Sequence, residues 1–176
     1  EARFSHALGT MTTTQYDLLE DHVVVLGYGD LTEPLLEELL EATVPFVVVT
    51  DDSDHAAELR GRDVDVYTGD PSDEQPLHDV AIEHARAVVA ATNDDAADAL
   101  AILTARELNP DIPIVAAATD RENEAKLRRA GADTVISPAV IGGHLLAQSA
   151  LGDSEVEAVA ERLLQQSAGT SGDDTR

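Results

Sequence analysis

Two glycines spaced as Gly27-x-Gly29 stand where the apolar run Val23-Val24-Val25-Leu26 gives way to an amphipathic stretch. Residues of this type at this spacing let a backbone turn sharply and present its N–H groups to a phosphate, with the positive end of a helix behind them. The groups that would face the anion are those of Gly27, Tyr28, Gly29, Asp30, Leu31 and Thr32. A second apolar run, Phe46 to Thr50, ends in Asp51 and Asp52. A carboxylate at that point accepts hydrogen bonds from adenosine ribose hydroxyls and repels a 2′-phosphate, which favours NAD or AMP over NADP. The glycine motif departs from G-x-G-x-x-G at its third glycine, which is Thr32, so the helix is expected to approach the strand less closely there.

The run Gly27-Tyr28-Gly29-Asp30, with Pro34 close behind, also looks like the filter loop of an ion channel. A filter works only when held between membrane-spanning helices of about 20 mostly apolar residues. The residues just before the motif are polar and acidic, and the longest apolar runs are short pieces such as 87–91 and 114–118. The filter reading therefore fails.

Composition narrows the function classes further. The chain has 176 residues and a formal net charge of -24, with 35 Asp and Glu against 11 Lys and Arg. Lys126 is its one lysine. The acids are spread along the chain, which argues against nucleic acid or anionic lipid as a partner and resembles proteins of salt-accumulating cytoplasms, where screening removes the self-repulsion. No cysteine is present, which permits a reducing compartment. The histidines at 6, 22, 55, 78, 84 and 144 are scattered. None is expected beside a carboxylate in a strand-end loop, and no Gly-x-Ser-x-Gly elbow occurs, so an oxidoreductase or other enzyme lacks a candidate acid, base or nucleophile.

The elements that must position the glycine turn follow from periodicity. Short β-branched runs at 22–27, 46–50, 64–67, 87–91, 113–118 and 134–136 alternate with amphipathic stretches at about 31–42, 54–60, 73–84, 94–108 and 120–130. This pattern predicts an α/β fold: a Rossmann-like, doubly wound parallel six-stranded sheet. Asn109-Pro110 and Gly131 mark helix ends. Residues 1–20 read as a linker from an upstream segment such as a pore, 21–137 as the nucleotide-type domain and 138–167 as crossover and dimerisation helices. Residues 168–176 read as a disordered tail. Val140, Ile141, Leu145, Leu146 and Leu151 are more apolar surface than a terminal helix usually exposes. They pack either on their own domain or on a second subunit.

Longer segments carry a family likeness. VYTGDPSDEQPLHDVAIEHARAVVAATNDDAADALAILTARELNP and AKLRRAGADTVISPAVIGGHLLA resemble the RCK domain, the regulator of potassium conductance, also known as the N-terminal domain of Trk-type potassium uptake proteins. The likeness runs from about His22 to Ser149 and includes Gly69-Asp70, Thr92-Asn93-Asp94-Asp95, Gly131-Ala132-Asp133 and Val135-Ile136-Ser137-Pro138. It implies a ligand-sensing module on the cytoplasmic side of a potassium channel or transporter, forming a homodimer or a higher ring. The helix after the sixth strand, about 138–150, would cross to the partner. Family members of transporter type bind NAD, NADH, ATP or ADP at the glycine turn. On that basis Asp70 would stand beside the adenine and Thr92 would line the cleft, although both residue types also serve as turn or cap residues. From the residues that follow Leu151 here, the family's second subdomain is not expected within this sequence.

Two positions depart from the family pattern. Where many members carry a basic residue after the second glycine and an arginine in the fifth strand, this chain has Asp30 and Ala117. Both changes weaken a phosphate site, the first by placing an anion at the positive end of a helix. The carboxylates that bind calcium in some channel members are replaced by Ala91, Ala117 and Thr119, which offer no oxygen-rich shell. A ring component that holds no ligand is the competing expectation.

Overall fold

In the computed structural model, Tyr16, residues 18–152 and residues 158, 159, 161 and 162 are described. The chain divides into two compact units, residues 1–137 and 138–176. Most of the expected linker, most of the expected crossover and dimerisation region beyond residue 152, and the tail lie outside the described residues.

The first unit is built on a six-stranded sheet of order β3-β2-β1-β4-β5-β6, parallel in every pairing. The strands are β1 (Val23–Leu26), β2 (Phe46–Thr50), β3 (Val66–Thr68), β4 (Ala87–Ala90), β5 (Ile114–Ala117) and β6 (Thr134–Ile136). The helices of this unit are α1 (Thr32–Glu41), α2 (Ser53–Gly61), α3 (Glu74–Asp79), α4 (Asp95–Leu108) and α5 (Glu124–Ala130).

Strand alternation sends side chains into two separate cores, one on each face of the sheet. Val23, Val25, Phe46 and Val48 pack with Leu36 of α1 and with Ala56 and Leu59 of α2. Their neighbours Val24, Leu26, Val47 and Val49 pack on the other face with Leu77 of α3, Ala101, Ile102 and Ala105 of α4, and Leu127 of α5. Every residue of β1 and β2 is buried, which is why these central strands read as unbroken β-branched runs.

Two helical stretches differ from expectation. The expected helix at 73–84 is α3 followed by a separate 3₁₀ turn, Ile82–His84. Ala81 between them adopts φ 55°, a left-handed conformation that ends the helical hydrogen-bond ladder. The stretch at 120–130 likewise opens with a 3₁₀ turn, Arg121–Asn123, before α5.

One arginine closes the far end of the first unit. Arg106, near the C-terminus of α4, donates to the carbonyls of Pro110 (2.7 Å), Ile112 (2.8 Å) and Gly131 (2.8 Å) and to Asp133 Oδ2 (2.8 Å). The same Asp133 oxygen accepts the Ile114 amide at 2.8 Å, so the end of α4, the start of β5 and the loop before β6 share one hub. The Ile114 amide, helped by the Arg106 guanidinium, holds the Asp133 carboxyl below the usual carboxylate range against desolvation.

The second unit is described chiefly as α6 (Pro138–Ala150). It has no buried residue, and Leu146 is 74% exposed. Among the described residues, no helix is long and apolar enough to cross a membrane.

Replacing Arg106 by alanine strands three carbonyls and a carboxylate at once. The expected loss is about 2 to 4 kcal/mol, read as a lower thermal midpoint in molar potassium chloride. A midpoint unchanged from wild type would mean the hub is decorative.

Candidate nucleotide-binding cleft

The strand order reverses between β1 and β4, and in such sheets the crevice beyond the carboxyl ends of the strands at that point is the natural ligand site. A cleft of about 390 Å³ lies there. Gly27 and Tyr28 contribute from the turn after β1, Thr50, Asp51, Asp52 and His55 from the β2–α2 corner, and Asp70, Pro71 and Ser72 from the loop after β3. Thr92, Asp94, Ala97 and Leu100 complete it from the β4–α4 side.

Of the residues expected to hold a ligand, Gly27, Tyr28, Asp51, Asp52, Asp70 and Thr92 are brought together in the cleft lining. Gly29, Asp30, Leu31 and Thr32 form the turn behind it. Gly27 adopts φ 78° with its α-carbon so close to β4 that an added Cβ would lie 2.3 Å from Thr92 Cγ2. A Cβ on Gly29 would lie 2.8 Å from the Ala91 carbonyl oxygen. Both positions need glycine.

The amides of this turn are largely spent inside the protein. Gly27 N–H bonds to the Val49 carbonyl at 2.7 Å and Thr32 N–H to the Gly29 carbonyl at 3.0 Å. Gly29 N–H donates to Thr32 Oγ1 at 2.8 Å, and Asp30 N–H to Asn93 Oδ1 at 3.1 Å. Among the described residues, only the Tyr28 and Leu31 amides of the six stand outside this network. Thr32 is 1% exposed. Its side chain folds into the turn and supplies a local acceptor, a role the missing third glycine gave no hint of.

The carboxylates divide by role. Asp51 is exposed, and its side chain makes no bond to another described residue. Asp52 caps α2, its Oδ1 accepting from Asp54 and His55 N–H at 3.0 Å each, while its Oδ2 lies 2.9 Å from His55 Nδ1. The His55 amide and imidazole, followed by the Asp54 amide, hold the Asp52 carboxyl below its ordinary range. This pair corrects the expectation that no histidine would stand beside a carboxylate at a strand end; an (i, i+3) pair across a helix start is easily overlooked when strand ends alone are searched. Asp70 Oδ1 accepts from Ser72 N–H (2.8 Å) and Ser72 Oγ (2.6 Å), an Asx turn. Those two bonds lower its pKa.

Tyr28 and His55 form one wall, stacked with ring centroids 4.1 Å apart and planes 17° apart. Tyr28 OH donates to Glu33 Oε1 at 2.8 Å, and Glu33 takes a two-point contact from Arg62 at 2.8 Å. The bond to Glu33 is the main cause that raises the Tyr28 hydroxyl to about 12.

Beneath Thr92 lies a residue that sequence reading missed. Asp98 of α4 is 1% exposed. It accepts Thr92 N–H at 3.1 Å and Thr92 Oγ1–H at 2.7 Å. Burial pushes its carboxyl up to about 6 against those two bonds, with Asp95 and Asp94 adding to the rise. Asp95 behaves oppositely. Burial works to raise it, but the Thr119 and Asp120 amides and Asn123 together hold it below its ordinary range.

Comparison with known proteins places this geometry. Residues 23–138 match the TrkA-N domain. The chain belongs to the TrkA-N domain family. It is 36% identical over 133 residues to the probable potassium channel protein 2 of Methanocaldococcus jannaschii, covering 74% of this chain and 39% of that protein. It therefore spans about two fifths of the length of this curated relative. Among solved structures, the TrkA-N domain of the Escherichia coli inner membrane protein ybaL has TM-score 0.66 at 27% identity, covering 77% of this chain and 97% of that one. The GsuK channel bound to NAD has TM-score 0.63 at 31% identity, covering 68% of this chain and 22% of that one.

The raised Asp98 carboxyl has a definite pH signature. A carboxyl whose pKa is higher in the fold than in the unfolded chain gives stability that is full below the ordinary carboxylate range and lost as pH rises through about 6. Wild type should therefore lose more thermal stability than Asp98→Asn between pH 5 and pH 7.5 in the same potassium chloride buffer. Parallel curves for the two proteins would show that Asp98 does not titrate in that window.

Proposed function

We propose that this domain is a regulatory module of a potassium channel or transporter, on the cytoplasmic face of the membrane, sensing an adenine nucleotide such as NAD or AMP. The observation that carries the reading is the cleft itself, which joins the Gly27 turn, the unengaged carboxylate of Asp51 and the Asp70 loop at the switch point of the sheet. Asp51 would take the ribose hydroxyls, and the Tyr28 and Leu31 amides would meet the phosphate. The GsuK channel, at 31% identity, is bound to NAD in one structure, which supports the choice of ligand class. The relatives' potassium-channel identity supports the partner, a membrane pore or transporter subunit. The role is sensing rather than catalysis: the cleft's hydroxyls at Ser72 and Thr92 donate to Asp70 and Asp98, which leaves neither poised as a nucleophile.

A second reading has its own support. The internal bonding of the Gly29, Asp30 and Thr32 amides suits a module that keeps its ring position without a ligand. Titration of NAD, NADH, AMP, ATP and NADP in molar potassium chloride, repeated on Asp51→Ala, separates the two. NAD or AMP should bind in the micromolar range or weaker, ahead of NADP, and Asp51→Ala should lose about tenfold or more, the worth of one bond to a charged group. No binding by any of the five favours the ligand-free role, binding indifferent to Asp51→Ala removes the ribose assignment, and turnover of a small alcohol or acid would restore the enzyme.

The oligomeric part of the proposal rests on α6, where Val140, Ile141 and Leu146 are exposed. We propose that this face pairs with a second copy. Light scattering in molar salt should give a dimer for wild type and a monomer for Leu146→Glu; a monomeric wild type at high concentration ends the idea.

A further inference from the structure

We infer that nucleotide binding in this cleft strengthens as salt rises, so that the domain reads ionic strength together with its ligand. This rests on the nucleotide reading above and concerns how the same cleft is regulated. Ordinarily a phosphate site is basic and salt weakens it, because cations compete for the ligand and screen the attraction. Here the sign is reversed. Asp51, Asp52, Asp70 and Asp94 all line the cleft, and no lysine or arginine does.

The N-termini of α2 and α4 add no free positive pole to the cleft. A helix N-terminus attracts an anion through its unpaired N–H groups, but Asp94 Oδ1 already accepts the Ala96 and Ala97 amides of α4 at 3.0 and 3.1 Å. Asp52 does the same at α2; α1 has no side-chain cap, and there Asp30 places a carboxylate one residue ahead of the N-cap Leu31. The nearby cations are committed elsewhere. Arg62 is held by Glu33, and Arg60 donates to the Val66 carbonyl and Thr68 Oγ1 at 3.1 and 2.6 Å. His55, the one basic side chain in the lining, is paired with Asp52.

The neutralisation must therefore come from solution. Among the described residues, no group of carboxylates and imidazoles is placed to grip a single metal ion, so the cations act as a diffuse atmosphere rather than as a bound partner. For a doubly charged phosphate and four carboxylates at separations on the order of 8 Å, shortening the screening length from about 10 Å to about 3 Å weakens the repulsion enough to tighten binding about tenfold.

Calorimetric titration of AMP and of adenosine at pH 8, in potassium chloride at about 0.1, 0.3 and 1 M, tests this. AMP should bind about tenfold more tightly at the top of that range than at the bottom, while adenosine, which has no phosphate, should change less than about twofold and shows that the cleft is folded throughout. Choline chloride should act as potassium chloride does. Asp70→Asn with Asp94→Asn keeps the Asx turn and the helix cap, because asparagine serves in both, and should flatten the AMP dependence by tightening binding at low salt. AMP affinity that stays level or falls with salt while adenosine still binds overturns the inference and leaves the nucleotide reading standing. A rise in potassium chloride but not in choline chloride overturns the diffuse-screening account. Failure of both ligands to bind at every salt concentration removes the nucleotide reading and the inference with it.

Discussion

The geometry of the cleft depends on how closely the turn after β1 approaches the end of β4. Gly27 and Gly29 bring two backbones together at a distance no side chain would permit, with Thr92 filling the space beside Gly27. Thr92 then passes the contact on, since its amide and hydroxyl both end on the buried Asp98. The glycine turn is thus a packing joint between the two halves of the sheet before it is anything else. That explains why its amides are turned inward: Gly29 and Asp30 find acceptors in Thr32 and Asn93, residues that hold the joint closed.

This dependence separates what could be read from the sequence from what could not. β2 and β6 have the bounds that their β-branched runs indicate; β2 is buried between parallel neighbours, which leaves a local compositional mark, while β6 is an exposed edge strand marked only by its short β-branched run. The break after α3 left no such mark. It depends on Ala81 taking a left-handed φ of 55°, which nothing in its own residue type favours. Within the cleft, Gly27 and Asp51 could be named because each sits at a strand end, where the fold class puts ligand groups, and Asp70 through the family likeness. Asp98 and His55 could not. Their roles arise from contacts made by folding: Asp98 looks like one more helix acid until its burial under Thr92 is seen, and His55 is a surface residue until Tyr28 is laid flat against it. Thr32 is the reverse case, a departure from the glycine pattern that the fold uses as an internal acceptor.

The acidic residues around the cleft serve the fold and would oppose the proposed ligand, with the solvent deciding which effect dominates. Asp52 and Asp94 each cap a helix through two amide bonds, an arrangement that stabilises the helix start relative to alanine. Those short contacts persist in concentrated salt, because a hydrogen bond formed at van der Waals distance leaves no room for the ion atmosphere. The repulsion between the same carboxylates and an incoming phosphate acts across a wet cleft and fades within a screening length of about 3 Å at 1 M salt. In dilute solution the aspartate caps of α2 and α4 would set stability against phosphate binding. In concentrated salt the cap keeps its contribution and the conflict would largely disappear, so on the proposed reading a net charge of -24 and acidic caps beside the phosphate seat would be two expressions of one constraint.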